Sequence, residues 1–189
     1  MATPTIHDET TAPEAARPLL DNSKRAFGRI PNLHGVMASS PAHLEAYQTL
    51  HRTVIENTAF TPTERTVVWM AINVEHECHY CVPAHTAIAH MDSIDPKIIE
   101  ALRTTAPLGD AKLEALRDFT LTVLRARGRV SDAELTAFKA AGYEDRHVLD
   151  VLLILAQKVM SNYTNHIYDT PVDAAFQKFD WTPNTAKAA

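Results

Sequence analysis

Helix-starting signals recur along this sequence at short intervals, with little else between them. Ser40 and Pro41 occupy the positions of an N-cap and a first helical residue. Thr61 to Glu64 form a capping box ahead of a second apolar segment. Further start signals stand at Asp95, Asp110 and Ser131. No segment alternates apolar and polar residues for long enough to predict a strand, so the sequence predicts an all-α fold.

The most apolar of the predicted helices runs from about Asp145 to Asn162. Its apolar residues lie on more than one face, and a chain of 189 residues has limited means to bury all of them alone. We therefore expect this helix to be central or to lie between subunits, and we expect a homo-oligomer.

Length and composition predict a single domain. The 189 residues are 46% hydrophobic and 22% charged, which provides enough apolar material for one core. The predicted helical domain spans residues 21–181. Residues 1–20 and 182–189 are rich in polar residues, proline, threonine and alanine, so both segments are predicted to be flexible.

Charge and hydropathy argue against two classes of partner. The 18 basic and 23 acidic residues give a formal net charge of -5, so we expect no nucleic-acid partner. The longest apolar stretch, 148–156, is interrupted by Asp150 and is far shorter than the roughly 20 residues that a membrane span requires. The first ten residues have neither the basic start nor the apolar core of a signal peptide, so we expect a cytoplasmic protein.

The two cysteines of the chain, Cys78 and Cys81, are separated by two residues. In a reducing compartment this spacing indicates redox or metal chemistry before a structural bridge. Pro83 belongs in the first turn of a helix, so we predict that a helix begins close to residues 78–80 and holds both sulfurs at its N-terminus. The positive end of the helix dipole lowers the pKa of a thiol placed there.

His85 follows Cys81 by four residues, which places both on one face of the predicted helix. An imidazole in this position can accept the Cys81 proton or pair with the thiolate. The spacing of the cysteines also brings the two sulfurs within disulfide range, so the pair can cycle between dithiol and disulfide. Glu75, three residues before Cys78, is a candidate proton acceptor for that thiol.

These residues resemble a motif of the carboxymuconolactone decarboxylase and alkylhydroperoxidase D-like family. The pattern Cys78-x-x-Cys81-x-x-x-His85 resembles the family's redox motif, and residues 61–71 resemble the helix that precedes it. The segments 28–33 and 165–173 resemble the family's flanking regions, so the resemblance spans residues 27 to about 176. It implies an oligomeric, all-helical bundle.

The resemblance also implies a thiol-dependent peroxidase or disulfide reductase acting on small organic hydroperoxides or H2O2. By position, Cys81 would attack the hydroperoxide, and Cys78 would convert the resulting sulfenic acid into a disulfide. His85 would be the activating histidine. A thiol or dithiol reductant would complete the cycle, without a metal or an organic cofactor. Thr66 stands where many relatives carry a glutamate, so Glu75 is our candidate for the replacement base.

Two other functions fit parts of the pattern. Cys78, Cys81 and His85, together with His90, could supply zinc ligands for a structural or regulatory module. Common zinc modules separate two ligand pairs by a loop, whereas these residues fall within 13 positions that should be largely helical. The family resemblance also permits a carboxymuconolactone-type decarboxylase, but such members generally lack the cysteine pair.

Overall fold

The computed structural model describes residues 5–183, and within that range the regular elements are all helical. Two short 3-10 helices, Glu14–Ala16 and Gln177–Phe179, flank the main elements. The α-helices are α1 (Arg17–Phe27), α2 (Asn32–Met37), α3 (Pro41–Asn57), α4 (Pro62–Glu75), α5 (Cys81–Met91), α6 (Pro96–Thr104), α7 (Ala111–Arg125), α8 (Asp132–Ala140) and α9 (Asp145–Tyr168). The predicted all-α fold of one domain is confirmed.

Helix starts follow the capping signals of the sequence. At α4, the Thr61 hydroxyl accepts a hydrogen bond from the Glu64 N–H at 3.2 Å, and the Glu64 carboxylate accepts one from the Thr61 N–H at 3.0 Å. Asp110 caps α7 by accepting from the N–H groups of Lys112 and Leu113. Each cap satisfies backbone donors that a helix start leaves without an intrahelical partner.

Helix α9 continues beyond the predicted end at Asn162. It ends at Tyr168, and Asp169 closes it in the left-handed conformation with φ of 46°. The polar residues of the last two turns do not end the helix, because Ser161, Asn162 and Asn165 point into the interior and are fully buried there. None of the helices between residues 5 and 183 is long and apolar enough to cross a membrane.

The interior contains two groups of buried side chains. The larger group surrounds α4, whose Trp69 and Ile72 are buried where this helix packs against α5, α7 and α9. The smaller group combines Leu20 and Tyr47 with the cysteine pair at the start of α5. The C-x-x-C segment therefore lies inside the packed protein.

The segment before α1 packs against the smaller group. Ala12, Ala16 and Leu20 are buried, and the His7 N–H donates to the Gly35 carbonyl at 3.1 Å. The domain boundary predicted at residue 20 thus falls within a packed region. The flexibility of residues 1–20 and 182–189 stays a prediction, and residues 1–4 and 184–189 lie outside the described range.

Candidate active site

The turn between α4 and α5 carries Cys78, and α5 begins at Cys81. Within this turn Glu77 adopts a φ of 52°, and the Cys78 N–H donates to the Asn73 carbonyl at 3.0 Å. The Cys78 sulfur accepts a hydrogen bond from the Cys81 N–H at 3.2 Å. The helix thus begins slightly later than the predicted residues 78–80, and only Cys81 lies in its first turn.

Both thiols are free and fully enclosed. Cys78 is 0% exposed and Cys81 is 2% exposed. The Cys78 thiol hydrogen bonds to the Cys81 sulfur. The Asn165 amide donates to the Cys81 sulfur at 3.2 Å and reaches the Cys78 sulfur at 3.9 Å. The two sulfurs thus form one site that also includes the end of α9.

The surroundings give the two thiols opposite pKa shifts. Burial raises the pKa of Cys81, but the hydrogen bond from Cys78 and the positive charge of Lys158 lower it. With further hydrogen bonds from Asn165 and Ser161, the pKa of Cys81 falls to about 7. Burial, together with the hydrogen bond to Cys81, holds the pKa of Cys78 far above its ordinary value. Cys81 is therefore the thiol that ionises first.

Lys158 of α9 is 1% exposed and lies close enough to both thiols for its positive charge to lower their pKa values. Its Nζ atom is 2.8 Å from Nε2 of His85. Burial lowers the pKa of Lys158, whereas the neighbouring sulfurs of Cys81 and Cys78 raise it. Sequence reasoning did not select this residue. The available signal was a lysine, next to Gln157, in the middle of the most apolar helix.

His85 is buried and packs against Trp69, with ring centroids 4.9 Å apart. Burial, the charge of Lys158 and the neighbouring His51 hold the pKa of His85 well below its usual value, so its ring is neutral. An ammonium group has no acceptor, so Nε2 of His85 accepts from Lys158 when the lysine is charged, and the ring proton is then on Nδ1. The role of His85 as the base for Cys81 stays a prediction.

Glu75 contacts a different part of the protein. Its carboxylate accepts two hydrogen bonds from Arg125 of α7, at 2.6 and 2.7 Å. With Arg103 and Trp181 it lines a surface groove of about 300 Å³. The structure thus brings together Cys78, Cys81 and the Lys158–His85 pair. The two hydrogen bonds described for Glu75 instead connect it to Arg125 of α7. The relay role of Glu75 stays a prediction.

A buried polar network connects α4 and α9 to the start of α5. The Asn73 amide donates to the Cys81 carbonyl at 3.4 Å, and the Asn162 amide donates to the Asn73 side-chain oxygen at 3.2 Å. Thr66, at the position of the family glutamate, is buried, and its hydroxyl has no hydrogen-bond partner within residues 5–183. These hydrogen bonds fix the backbone that carries the Cys81 sulfur.

The segment after α9 closes over the C-x-x-C turn. The His79 ring is hydrogen bonded to the Thr170 carbonyl at 3.1 Å. The Tyr80 hydroxyl donates to the Asp173 carboxylate, which also accepts from the Asn32 N–H at 3.2 Å. The turn, the tail and the start of α2 are therefore tied together.

The arrangement gives no support to the zinc-module alternative. Over the described range of 5–183, no three His, Cys, Asp or Glu side chains come together in a way that could hold a metal ion. The Nε2 atom of His85 is hydrogen bonded to Lys158, and the two sulfurs contact each other and Asn165.

Solved structures with the same architecture support the alkylhydroperoxidase D-like fold. An uncharacterized peroxidase-related protein with an alkylhydroperoxidase AhpD core, from Ralstonia eutropha JMP134, is 22% identical, with a TM-score of 0.81 over 93% of this chain and 96% of that one. An uncharacterized peroxidase-related protein from Silicibacter sp. TM1040 is also 22% identical, with a TM-score of 0.77 over 93% and 95%. A cysteine-to-alanine variant of the debrominase Bmp8, in complex with 2,3,4-tribromopyrrole, is 16% identical, with a TM-score of 0.77 over 94% and 95%.

The fold is therefore that of the alkylhydroperoxidase D-like helical proteins. Residues 41–121 match the model of the carboxymuconolactone decarboxylase family. The resemblance seen in the sequence is confirmed. No curated protein sequence matches the chain.

Proposed function

We propose that this protein is a thiol-dependent peroxidase or disulfide reductase that reduces small organic hydroperoxides or H2O2. The observation that carries the proposal is an enclosed pair of free thiols that share the Asn165 amide, in surroundings that shift their pKa values in opposite directions. Cys81 has a pKa of about 7, so a large share is thiolate near neutral pH, while Cys78 keeps its proton. A thiolate nucleophile beside a protonated thiol is the pairing that a two-cysteine peroxidase requires.

The first step is attack of the Cys81 thiolate on the terminal oxygen of the hydroperoxide. A sulfur–oxygen bond forms, the oxygen–oxygen bond breaks, and Cys81 becomes a sulfenic acid. The other product leaves as an alkoxide, or as hydroxide when the substrate is H2O2, and takes up one proton. The sulfur is oxidised by two electrons and the peroxide is reduced by two.

In the second step the Cys78 thiol attacks the sulfenic sulfur of Cys81. The disulfide forms, and the hydroxyl group leaves as water with the Cys78 proton. Because the Cys78 thiol already hydrogen bonds to the Cys81 sulfur, this step needs little movement of the turn. An external thiol or dithiol then reduces the disulfide by exchange.

Asn165 offers a means of holding the substrate. Its amide nitrogen donates to the Cys81 sulfur, while its side-chain oxygen is buried and has no hydrogen-bond partner within residues 5–183. An organic hydroperoxide carries one O–H group, and the Asn165 side-chain oxygen can accept a hydrogen bond from it. Such a hydrogen bond would hold the terminal peroxide oxygen next to the attacking sulfur.

The outer face of α9 supports the proposal that the protein is a homo-oligomer. Apolar residues at least partly exposed recur along it at spacings of three and four, as in helices that pack against another helix. We call this set the α9 stripe: Leu149, Leu152, Ala156, Val159, Tyr163 and Ile167. Packing of two copies through the stripe would remove this apolar surface from water.

The test is to count thiols in the reduced protein after addition of cumene hydroperoxide or H2O2. We expect two thiols to disappear for each hydroperoxide converted to alcohol, and a dithiol to restore them. The variant that lacks both sulfurs, with Cys78→Ser and Cys81→Ser, is the control for nonspecific oxidation. Unchanged thiols would contradict the proposal. So would a reduced protein that releases bromide from 2,3,4-tribromopyrrole but leaves hydroperoxides intact.

A further inference from the structure

The buried ammonium of Lys158 has an unusual set of neighbours. Its side chain is 1% exposed, and within residues 5–183 it forms no salt bridge with a carboxylate. A buried charge without a counter-ion is costly, so such a group either loses its charge or acquires an opposite charge nearby. An acid next to the ammonium would supply that opposite charge.

The titratable groups around Lys158 come from three helices and the C-x-x-C turn. His51 belongs to α3, His85 and Cys81 to α5, and Cys78 to the turn, and His76 follows the end of α4. Tyr47 of α3 lies near the two thiols. Burial lowers the pKa of the three histidines, so they supply no negative charge. Burial raises the pKa of Tyr47 and of Cys78, so both keep their protons. Cys81 is the remaining acid, and it lies one helical turn before His85, whose Nε2 atom is 2.8 Å from Lys158 Nζ.

We propose that Lys158 carries the Cys81 proton through the reaction, taking it from the thiol before the attack and returning it to the oxygen that leaves the hydroperoxide. The proposal rests on the peroxidase function proposed above. In this proposal, an amine on α9 transfers the proton. Thr66, at the position where many relatives carry a glutamate, has no carboxylate that could do so.

Each proton has a defined donor and acceptor over one turnover. Cys81 thiol and Lys158 amine become thiolate and ammonium, with no net change of charge inside the protein. Attack then gives the Cys81 sulfenic acid and an alkoxide, and the ammonium protonates the alkoxide to the alcohol. Lys158 is an amine again when Cys78 condenses with the sulfenic acid and releases water.

His85 acts in this scheme as a positioning residue. Its neutral Nε2 atom accepts from the Lys158 ammonium at 2.8 Å, and the ring is held against Trp69. The hydrogen bond orients Nζ while leaving its other two protons for neighbouring groups. A neutral histidine suits this task, because a charged one would repel the ammonium.

The first experiment measures ionisation without peroxide. In a Cys78→Ser background, the rate of alkylation of Cys81 by iodoacetamide is followed against pH, with Lys158→Met, Lys158→Arg and the exposed-lysine control Lys139→Met. We expect Lys158→Met to move the midpoint upward by at least about one pH unit, which is tenfold in the ionisation constant. Lys158→Arg keeps a positive charge and should shift it less, and Lys139→Met should not shift it. An unchanged midpoint in Lys158→Met overturns the pairing.

The second experiment measures proton delivery in single turnovers of the full chain, at a pH where Cys81 is ionised in every variant. Cumene hydroperoxide releases a strongly basic alkoxide, whereas peracetic acid releases acetate, which needs no proton. We expect Lys158→Met and Lys158→Arg to slow the reaction with cumene hydroperoxide by about 100-fold, a typical effect of losing a general acid. The reaction with peracetic acid should be slowed much less. Equal slowing with both oxidants overturns proton delivery by Lys158.

These experiments separate the inference from the function on which it rests. A wild-type protein that does not react with hydroperoxides removes the proposed function and proton delivery together. The alkylation profile then still decides whether Lys158 and Cys81 exchange a proton. Lys158→Arg keeps the test decisive if circular dichroism shows that Lys158→Met is unfolded, because arginine preserves the charge but has no accessible neutral form.

Discussion

The side-chain amide of Asn165, in the last turn of α9, lies 3.2 Å from the sulfur of Cys81, in the first turn of α5. Residues 84 positions apart in the chain therefore share one hydrogen bond. Hydrogen bonds to a thiolate favour the ionised form, so this contact contributes to the lowered pKa of Cys81.

Replacing Asn165 by alanine should raise the pKa of Cys81 above its value of about 7. A hydrogen bond to a charged group contributes about 1.5 kcal/mol, or about one pKa unit. Because the thiolate is lost as the pH falls through the pKa, alkylation at pH 7 should be about fivefold slower and should recover above pH 9. Thr164→Ala, which removes the neighbouring hydrogen bond to the Met160 carbonyl, is the matched control. An Asn165→Ala midpoint equal to that of the wild type contradicts the assignment.

The two cysteines should differ in their response to serine substitution. Cys81→Ser removes the thiol that ionises near neutral pH, so it should abolish hydroperoxide consumption. Cys78→Ser should still form one sulfenic acid per chain and then stop, because no thiol remains to resolve it. Dimedone trapping and mass spectrometry distinguish these outcomes. Equal loss of the first oxidation step in both variants would show that the roles are misassigned.

The pH dependence of Cys81 should not follow the titration of His85. Burial holds the pKa of this histidine well below its usual value, so the ring is already neutral in the pH range where Cys81 ionises. We expect His85→Leu to leave the alkylation midpoint near pH 7 while it slows the reaction with cumene hydroperoxide, because Lys158 loses its orienting acceptor. If His85→Leu moves the midpoint by more than Lys158→Met, the histidine is the proton acceptor that the sequence predicts.

Glu75 and Arg125 should behave as a surface ion pair. Both side chains are partly exposed, and such pairs contribute roughly 0.2–1 kcal/mol to the free energy of unfolding. We expect Glu75→Gln and Arg125→Gln to lower that free energy by similar small amounts in urea titrations. Neither should alter the rate of disulfide formation. Slower disulfide formation in Glu75→Gln, with Arg125→Gln unaffected, would support the relay role that the sequence suggests for Glu75.

The α9 stripe should hold copies of the chain together. Leu149 and Ile167, at its two ends, are each about two thirds exposed, so a glutamate at either place should disrupt assembly without disturbing the core. Light scattering on the wild type should give a multiple of 20.9 kDa, and Leu149→Glu should lower it. Met91→Glu, at an exposed apolar residue of α5, is the control. A wild-type mass of 20.9 kDa at micromolar concentration rules out this oligomer.

Local signals were sufficient to predict most of the helices. Proline and capping residues at Pro41, Thr61 and Asp110 mark starts that the structure confirms, because a cap acts within a few residues of its own position. The predicted end of α9 at Asn162 was wrong. The polar side chains of Asn162 and Asn165 favour helix ends when they are considered in isolation. Here they serve the buried site instead, and no local pattern distinguishes the two cases.

The candidate site was only partly visible in the sequence. Cys78, Cys81 and His85 lie within one short segment, so spacing alone places them together. Lys158 and Asn165 follow Cys81 by 77 and 84 positions. Their proximity depends on how α9 packs against α5, which helical periodicity does not specify. The pairing of Glu75 with Arg125 depends on the packing of α4 against α7 in the same way.

The enclosure of the two sulfurs also has a kinetic consequence. The turn that carries them is held to the tail by contacts of His79 with Thr170 and of Tyr80 with Asp173. In the proposed cycle we therefore expect a bulky reductant to reach the Cys78–Cys81 disulfide only when these contacts separate. The exchange rate then equals the intrinsic rate of the open form multiplied by the equilibrium constant for opening, as in amide hydrogen exchange. Each 1.4 kcal/mol in the free energy of opening slows reduction of the disulfide tenfold. In the proposed cycle, we therefore expect the contact between Tyr80 and Asp173 to limit the rate with large reductants more than the rate with small hydroperoxides.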